Sequence, residues 1–313
     1  MLRKHKAIFS QFVDANHLNF NFIDIGARGD IHSPWLELED QSTIVGFEPD
    51  ADEARRLNQK FGRRKYFDIA LWSEKTAREV FINEWESTSS MYPPNTEYIS
   101  KFEPQHWTGR RPKLVQSVEC ETLDGILNNN RIIPDFIKID TQGSELEILK
   151  GAEFLLRRHS PMVTCETWCY EVYKGAHMMH DVIGFMDCAG YQVFDMELAA
   201  SWRHKSDRVQ EVSAKRKAIG YEVLFVKKFE DMSPEDGASF LKSLLLLELY
   251  GYRDYAIFLL EQKPSLSIQE GQLRELFYKN SQRESSIYVA GRNLFSRVLN
   301  RCAKQDRYPN IKY

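Results

Sequence analysis

The sequence has two apolar runs, one on each side of a turn that contains glycines, and each run is associated with an acidic residue. The two acidic residues together could bind a nucleoside. Asp24 lies in the run 20–25, the turn Gly-Ala-Arg-Gly occupies residues 26–29, and Glu48 follows the run 43–47. Nucleotide-binding α/β folds place a carboxylate about 20 residues after such a turn, where it accepts both ribose hydroxyls. Glu48 has this position, so the first chemistry that the sequence predicts is ribose binding.

The turn favours a cationic cofactor over one that carries a pyrophosphate. Residues 26–29 lack the spacing and the third glycine of the dinucleotide pattern G-x-G-x-x-G. A pyrophosphate also requires free N–H groups at a helix N-terminus, whereas this loop carries Asp24 and Asp30 and leads into a short segment broken by Pro34. S-adenosylmethionine has a ribose, an ammonium and a sulfonium but no phosphate, so it fits better. A nucleotide-sugar or NAD enzyme stays open as an alternative.

Four motifs, in order along the chain, resemble the FkbM-type S-adenosylmethionine-dependent methyltransferases. They are DIGA at 24–27, GFEPD at 46–50, ETLDGIL at 121–127 and FIKIDTQGSELEILKGAE at 136–153. The resemblance spans about residues 20–228. Family members commonly have D-I-G-A-N-x-G in the first motif, whereas this chain has Arg28 in place of the Asn and Asp30 in place of the last Gly. The segment between the first two strands is also short, which predicts a reduced first helix.

The resemblance implies a cofactor site at the ends of the strands. Glu48 would hold the ribose, and Asp24 and Gly26 would line the methionine end. Asp68 would either touch the adenine or cap a turn. The predicted cofactor-binding residues are Asp24, Gly26, Arg28, Glu48, Pro49, Asp68, Ala70, Asp140 and Gln142.

Three side chains are candidates for the chemical step. Methyl transfer to a hydroxyl is an in-line displacement, so the protein must align two groups and help to remove a proton. Asp140 and Glu166 each end a predicted strand, where open α/β sheets bind ligands. They could act as a carboxylate base or hold a divalent cation such as Mg²⁺; Glu166 could equally be a hydrogen-bonded acid that orients the loop. His177 is the third candidate, although it and His180, one helical turn apart, more often lie on a surface.

The elements that must position these residues indicate an α/β protein. Buried apolar runs alternate with amphipathic segments, which is typical of a parallel sheet with helices on its faces. The resemblance implies a class I methyltransferase (Rossmann-like) fold, with a mostly parallel seven-stranded sheet and an antiparallel closing strand at residues 221–226. Asp50 and Thr122 are predicted helix caps, and Ser144 with Glu147 is a predicted capping box.

A segment rich in Ser, Thr, Pro and aromatic residues, about 84–112, interrupts this pattern. Loops of this length without their own secondary structure are usually functional or disordered. Aromatic residues argue against disorder, and they are Trp85, Tyr92, Tyr98, Phe102 and Trp107. We predict a lid over the substrate, because sugars stack on aromatic rings. An insertion packed on the sheet is the alternative.

The last part of the chain has helical spacing and no strand signal, so we predict two domains. The methyltransferase domain would span residues 1–230, and an all-α extension would span 231–313. Apolar runs near 240–262 resemble one helical hairpin of the tetratricopeptide type, which is too few for a repeat array. A basic amphipathic helix near 285–302 could contact an anionic membrane peripherally, but such helices more often pack on their own domain or on a second copy of the chain.

Composition limits the partners and the location. The chain has 313 residues and a net charge of -3, which gives no basic field for nucleic acid. Its five cysteines are scattered, and no apolar run approaches the length of about 18 residues that a membrane helix requires. We predict a cytoplasmic protein with reduced thiols and without a transmembrane segment.

The sequence therefore predicts an S-adenosylmethionine-dependent O-methyltransferase. The resemblance implies the acceptor class, which is a sugar hydroxyl of a surface glycan, a lipopolysaccharide or a secondary metabolite. The alternative is a non-catalytic scaffold, with a degenerate methyltransferase domain and a helical C-terminus that binds partners. Arg28 and Asp30 in the first loop keep that alternative open.

Overall fold

The computed structural model describes residues 3–31, 34–62, 64–206, 215–231 and 237–262, together with 271, 273, 274, 276 and 277. The chain divides into two compact units, one of residues 17–243 and one of residues 1–16 with 244–313. This grouping differs from the predicted boundary after residue 230. The N-terminal helix, which buries Phe9 and Val13 on one face, belongs to the unit of C-terminal helices and not to the unit of the sheet.

The described residues form ten strands and nine helices of the α type. The strands are β1 (Phe20–Ile25), β2 (Ser42–Phe47), β3 (Lys65–Phe67), β4 (Ala70–Leu71), β5 (Thr76–Asn83), β6 (Pro112–Glu121), β7 (Phe136–Ile139), β8 (Met162–Trp168), β9 (Tyr191–Trp202) and β10 (Lys217–Lys227). The helices are α1 (Arg3–Ala15), α2 (Ala51–Lys60), α3 (Thr96–Ile99), α4 (Leu123–Asn129), α5 (Glu145–Lys150), α6 (Glu153–His159), α7 (Met179–Cys188), α8 (Gly237–Leu249) and α9 (Arg253–Gln262).

Seven of these strands form one sheet in the order β3-β2-β1-β7-β8-β10-β9. All neighbouring pairs from β3 to β8 are parallel, and β10 is antiparallel to both β8 and β9. Counted within this sheet alone, the order is 3-2-1-4-5-7-6, which is that of a class I methyltransferase. The predicted fold class and its antiparallel closing strand are therefore confirmed.

Apolar strand residues with almost no exposure form the centre of this unit. Ile23, Ile25, Ile137 and Ile139 belong to one buried cluster with leucines of α5 and α6. Parallel strands covered on both faces must be apolar throughout, which explains why these runs are recognisable in the sequence. The connection between β1 and β2 contains two short 3-10 turns among its described residues, in agreement with the predicted reduced helix.

Two predicted helix caps are confirmed. The Asp50 carboxylate accepts hydrogen bonds from the backbone N–H groups of Asp52 and Glu53 at the start of α2. The Thr122 hydroxyl accepts one from the backbone of Gly125 in α4, at 3.1 Å. Both helices begin where a side-chain oxygen satisfies N–H groups that the first helical turn leaves unpaired.

The predicted capping box of Ser144 and Glu147 is wrong. The Ser144 side chain makes no capping hydrogen bond. Instead the buried carboxylate of Glu145 accepts hydrogen bonds from the backbone N–H groups of Thr141 (3.1 Å) and Gly143 (2.9 Å). A neighbouring carboxylate thus folds back over the loop, and it fixes the turn between β7 and α5.

The remaining strands form a small second sheet of order β4-β6-β5. Its main pair is the antiparallel one between β5 and β6, which brackets the predicted insertion. Aromatic residues of the insertion, including Tyr98 and Phe102, pack with Trp168, Tyr173 and others in a second hydrophobic cluster. The insertion is therefore packed against the domain.

Arg110 anchors the end of this insertion. Its guanidinium lies over the rings of Trp168 (5.5 Å) and Trp202 (5.0 Å) and donates to the hydroxyl of Tyr173 at 3.2 Å. Cations over aromatic rings contribute more when they are shielded from water, and Arg110 is buried. The insertion is consequently held in one position over the ends of the strands.

Lys227, at the end of β10, is buried near the ends of two helices. Its ammonium group donates to the carbonyl oxygens of Ala189 (2.7 Å) and Leu156 (3.4 Å). We expect Lys227→Met to lower the free energy of unfolding by about 1–2 kcal/mol, because the buried Ala189 carbonyl loses its donor. Urea unfolding measures this, and Lys228→Met is the control, since Lys228 is partly exposed and pairs with Asp187. Equal losses in the two variants would contradict the prediction.

The smaller unit contains α1, α9 and the second part of α8. Glu248 is buried, and its carboxylate accepts hydrogen bonds from the Nε and Nη2 atoms of Arg253, at 2.8 and 2.7 Å. The predicted helix pair near 240–262 is present as α8 and α9, with Gly251 at a positive φ between them. The predicted basic helix near 285–302 lies outside the described residues. Among the described residues, no helix is long and apolar enough to cross a membrane.

Candidate functional site

A cavity of about 510 Å³ lies over the carboxyl ends of β1, β2 and β7. This volume is within the range of small-molecule sites. The small sheet and residues of the insertion provide the other walls. The cavity therefore occupies the edge where open α/β sheets bind their ligands.

Gly26 allows the strand ends under the cavity to approach each other. Its φ is +77°, and a Cβ atom at this position would overlap the backbone oxygen of Asp140. The N–H groups of Gly26 and Ala27 both donate to the carbonyl oxygen of Phe47, each at 3.1 Å. The glycine thus lets the end of β1 contact the ends of β2 and β7 at once.

Glu48 places a buried carboxylate on the cavity. The backbone N–H of Asp50 donates to its Oε1 atom at 3.0 Å, and its own N–H donates to Phe67. Its Oε2 atom accepts no hydrogen bond from the described part of the chain. Burial raises the pKa of Glu48 to about 7, although the Asp50 N–H and Arg28 act in the opposite direction. An acidic oxygen is therefore available to the hydroxyl groups of a ligand.

Arg28, which replaces the family Asn, joins the first loop to the insertion. Its guanidinium donates to Asp50 at 2.5 Å and to Glu86 at 2.8 Å, and it lies 3.9 Å from Glu48. Arg28 lines the cavity beside the predicted ribose position. Arg28 consequently places one positive charge among the three acidic residues Glu48, Asp50 and Glu86.

Asp30, the second departure from the family motif, has a structural partner. Its carboxylate accepts a hydrogen bond from Arg64 at 2.6 Å, and Arg64 also donates to Glu39 at 2.9 Å. The Arg64 side chain is only 1% exposed. Ion pairs around a buried arginine hold a loop firmly because leaving that charge unpaired is costly. Asp30 therefore stabilises the loop without lining the cavity.

The cavity lining has an excess of acids. Within the described chain it contains one basic residue, Arg28. Its acidic residues are Glu48, Asp50, Asp52, Glu86 and Asp140. Such a lining attracts a cation and repels a phosphate.

The other walls of the cavity are apolar. Ile69 and Ile148 lie beside the main sheet, and Leu71, Val80 and Leu114 lie on strands of the small sheet. None of these apolar residues is among the site residues that the sequence analysis predicted. No sequence signal placed these apolar side chains on a ligand cavity.

Asp140 and Glu166 lie close together, and Gln142 connects them. The Gln142 amide nitrogen donates to Asp140 at 3.0 Å and to Glu166 at 2.5 Å. Burial, and then the charge of Asp140, raise the pKa of Glu166 to about 9. Burial therefore favours the protonated form of Glu166, and Asp140 is the member of the pair that lines the cavity.

Gln142 is itself fixed by residues distant in sequence. Its backbone has a positive φ of 59°, and its carbonyl oxygen accepts a hydrogen bond from the Ser90 hydroxyl at 2.7 Å. Its side-chain oxygen accepts one from the Tyr173 hydroxyl at 2.9 Å. Ser90 belongs to the insertion, so the insertion and the motif loop form one rigid part of the cavity wall.

The sequence model of the methyltransferase FkbM domain family matches residues 24–193. The chain belongs to this family. The match contains the ends of β1, β2, β7 and β8 and every residue of the cavity lining. β10 lies beyond the end of the FkbM match.

Several solved methyltransferases are similar to this FkbM chain. Methyltransferase FkbM from Methylobacillus flagellatus KT is 16% identical, with a TM-score of 0.34, over 69% of this chain and 47% of that one. A TehB-like SAM-dependent methyltransferase from Corynebacterium glutamicum is 12% identical, with a TM-score of 0.33, over 71% and 88%. Magnesium protoporphyrin IX methyltransferase from Synechocystis, with bound SAM, is 9% identical, with a TM-score of 0.35, over 72% and 79%.

The matched part of the Methylobacillus FkbM structure is 47% of that chain. This chain therefore spans about half the length of that relative. No curated protein matches the chain in sequence.

Most of the predicted cofactor residues of the FkbM domain line the cavity. They are Gly26, Arg28, Glu48, Pro49, Ala70, Asp140 and Gln142. Their common feature is a position at a strand end or in the loop after it. Sequence position along a strand therefore located this part of the lining correctly.

Four predicted residues lie outside that lining. Asp24 alternates with Ile25 along β1, so its side chain points away from the cavity, and Lys138 donates to it at 3.2 Å. Asp68 and Glu166 are also absent from the lining, the latter lying behind Gln142. His177 lies near Glu147, with 3.3 Å between its Nε2 and the carboxylate. The structure thus gives Asp24 and His177 other partners than a bound ligand.

The predicted divalent cation receives no support from the donor set. Among the described residues, no group of three or more His, Cys, Asp or Glu side chains is arranged to hold a metal ion. The amide nitrogen of Gln142, a hydrogen-bond donor, already occupies one oxygen of Asp140 and one oxygen of Glu166. These residues do not fit a metal site.

Glu166 should make the stability of the FkbM domain depend on pH. A carboxyl pKa raised from 4.5 to about 9 in the folded state stabilises the fold at low pH, and this contribution is lost as the pH rises through 9. Glutamine mimics the protonated acid and does not titrate. Between pH 7 and pH 9, we therefore expect the free energy of unfolding to fall by about 2 kcal/mol more in the wild type than in Glu166→Gln. Urea unfolding at several pH values measures this, with the exposed Glu97→Gln as control. Parallel curves for wild type and Glu166→Gln would disprove it.

Proposed function

We propose that this protein is an S-adenosylmethionine-dependent methyltransferase that methylates a hydroxyl group. We propose further that the hydroxyl belongs to a sugar, in a surface glycan, a lipopolysaccharide or a secondary metabolite. The observation that carries the proposal is the buried Glu48 carboxylate, whose free oxygen lies on a cavity at the ends of β1 and β2. The family membership supports the reaction class.

The residues of the cavity fit the proposed cofactor. Glu48 would accept the ribose hydroxyls, and Ile69, Leu71 and Ile148 would pack on the adenine. The acidic excess of the lining suits a ligand with an ammonium and a sulfonium group. When bound, S-adenosylmethionine would supply a methyl group attached to a positively charged sulfur. The sulfur would keep the two electrons of the broken bond and leave as a neutral thioether.

Asp140 is the proposed base for the acceptor hydroxyl. It is the acidic residue of the pair that lines the cavity, and the raised pKa of Glu166 behind it favours the protonated form of that second carboxyl group. Gln142 fixes both side chains, so the carboxylate keeps one orientation as a proton moves to it. Asp140 would also attract the cationic end of the cofactor before transfer, as a carboxylate stabilises positive charge at close range.

The sugar acceptor follows from the family resemblance. Hydroxyl and amide side chains on the insertion side of the cavity, Ser87, Ser90 and Gln116, support a polyhydroxyl ligand. Such groups can donate and accept hydrogen bonds with ring hydroxyls. The two parts of the proposal are tested separately.

Isothermal titration calorimetry tests the cofactor. The purified chain is titrated with S-adenosylmethionine, S-adenosylhomocysteine, NAD and UDP-glucose. We expect saturable binding of the first two alone, and weaker binding in Glu48→Ala. Absence of binding by folded protein would overturn the enzyme proposal and favour the scaffold, whereas binding of NAD or UDP-glucose alone would favour the nucleotide alternatives.

Transfer of a labelled methyl group tests the acceptor. The chain is incubated with labelled S-adenosylmethionine and separate panels of nucleotide sugars, oligosaccharides, lipopolysaccharide and peptides. We expect label in a carbohydrate panel and its loss in Asp140→Asn. Label in peptides alone would overturn the sugar acceptor and leave the cofactor proposal intact.

A further inference from the structure

Strand β6 has one edge that no described strand occupies over most of its length. β5 pairs with β6 along its other edge, from Asn83 opposite Pro112 to Thr76 opposite Cys120. On the free edge, β4 pairs only at Cys120 and Glu121. In the described chain, the backbone groups of residues 113–119 that face this edge have no strand partner.

The free part of β6 is also exposed and partly apolar. Leu114 is 55% exposed and Val115 is 43% exposed, and they lie on opposite faces of the strand. An exposed apolar strand edge is a template for another strand, since its N–H and C=O groups seek partners. A partner strand that pairs with such an edge satisfies these backbone groups.

The side chains of β6 complement a second copy of the same strand. In a dimer with a two-fold axis perpendicular to the sheet, antiparallel β6 strands face each other with the same side chains on each face. If Gln116 lies opposite Gln116 of the other copy, Lys113 lies opposite Glu119 on one face. On the other face Leu114 lies opposite Val118. Opposite charges and apolar pairs each stabilise such a strand pair.

Neighbouring registers are less favourable. A shift that brings Lys113 opposite Glu121 is blocked, because β4 already occupies that position and Lys75 pairs with Glu121. A shift in the other direction places Lys113 opposite Ser117. It also places Arg111 opposite Glu119. Arg111 lies before Pro112, and Pro112 has no N–H group with which to continue the hydrogen-bond ladder. The register centred on Gln116 is thus the longest one that keeps the ion pairs.

Strand β9, at the edge of the main sheet, lacks this complementarity. It carries Asp195 and Glu197 and no basic residue between Tyr191 and Trp202. Self-pairing of β9 would bring acidic residues together, which destabilises a strand pair. Of these two edges, β6 is therefore the one whose charges suit a second copy.

We propose that two copies of this chain associate through β6, which pairs antiparallel about a two-fold axis at Gln116. The small sheets of the two copies then form one continuous sheet. Leu114, Gln116 and Val118 line the cavity, so the second copy extends the open wall of the cavity with its own β6. This association does not depend on the proposed reaction.

Charge reversal at two positions tests the proposal. Light scattering after size exclusion and sedimentation equilibrium measure the mass of wild type, Lys113→Glu, Glu119→Lys and the double variant. We expect a wild-type dimer whose dissociation constant rises about tenfold or more in each single variant, because two attractive pairs become two repulsive ones. The double variant should return to the wild-type value. Melting temperatures show whether each variant is folded.

A cysteine at the proposed axis gives an independent readout. Gln116→Cys should form a disulfide-linked dimer on mild oxidation, since directly opposed strand residues have the spacing that a disulfide requires. Ala77→Cys, exposed on β5, is the control and should stay monomeric on a non-reducing gel; the wild type accounts for native thiols such as the exposed Cys188.

Three results would overturn the proposal. They are a wild-type monomer at all concentrations, a dimer that both single variants leave unchanged, and a double variant that stays monomeric. A monomer that binds a strand of another protein at β6 would also overturn it, because the second copy is then not the occupant.

Discussion

Gly26→Ala is expected to destabilise the larger unit by about 3–5 kcal/mol, the largest loss among the substitutions proposed for this protein. Two costs add together. The residue has a φ of +77°, which an L side chain rarely adopts, and the new Cβ would overlap the backbone oxygen of Asp140. Backbone atoms of β7 cannot rotate away as a flexible side chain can, so the strand ends must separate.

Gly29→Ala, in the same loop, is the matched control. Gly29 has a similar positive φ of +97°, but a Cβ there would meet nothing within 4 Å. This variant therefore measures the cost of the backbone conformation alone, and we expect about 1–2 kcal/mol. Urea unfolding with linear extrapolation measures both losses. Equal losses in the two variants would show that the approach of Gly26 to Asp140 does not constrain the fold.

The same substitution should also affect the cavity. Gly26 lines the cavity, and its N–H and that of Ala27 bind the carbonyl oxygen of Phe47. Displacement of β1 from β7 would move Asp140 away from Glu48. We therefore expect Gly26→Ala to lose cofactor binding at temperatures where it is still folded, whereas Gly29→Ala should retain it.

The sequence was sufficient to predict the main sheet for a physical reason. Strands such as β1 and β7 are covered on both faces, so they must be apolar throughout, and their ends coincide with glycines and acids. The small sheet is different. β6 is exposed along most of its length, so its composition carries little information about which strand it pairs with, and its place beside the cavity depends on contacts distant in sequence.

Differences between the predicted and the observed arrangement of the site have similar causes. Asp24 alternates along β1 with Ile25, which lines the cavity, and the sequence alone did not show which face of the strand meets the cavity. Ser144 is a residue type that often caps helices, yet the backbone N–H groups of the loop donate to the carboxylate of Glu145 instead. Local patterns could not reveal that competition, because it depends on how the loop is buried. Gln142 likewise owes its position to Ser90 and Tyr173.

Binding of the proposed cofactor should depend on the protonation of Glu48. Burial raises the pKa of Glu48 to about 7, and the ionised carboxylate is the better acceptor for ribose hydroxyls. We expect the affinity for S-adenosylmethionine to be constant above pH 8 and to fall by up to about tenfold for each unit below pH 7. Calorimetry in two buffers of different ionisation enthalpy should also detect a proton released on binding near pH 7.

Glu48→Gln separates this effect from other groups that titrate nearby. Burial also raises the pKa of Glu145 to about 7, so the pH dependence alone does not identify Glu48. We expect Glu48→Gln to bind the cofactor about 10 to 150 times more weakly at pH 8, the loss of about 1.5–3 kcal/mol typical of hydrogen bonds to a charged group. Its affinity should no longer change with pH between 6 and 8. A variant with wild-type affinity at pH 8 would remove Glu48 from the ribose site.

Although Glu48→Gln should bind the cofactor more weakly than the wild type, we expect its folded state to be at least as stable. Because the folded-state pKa of Glu48 is raised from 4.5 to about 7, its contribution to stability is present below pH 4.5 and is lost as the pH rises through 7. At pH 8 the wild type therefore carries the full cost of a buried charge, and the neutral glutamine does not. A variant that melts at the same or a higher temperature and still binds weakly would show that the carboxylate is kept for the ligand. If stability and affinity fall together, Glu48 serves the fold, and the cavity loses the residue on which the proposed function depends.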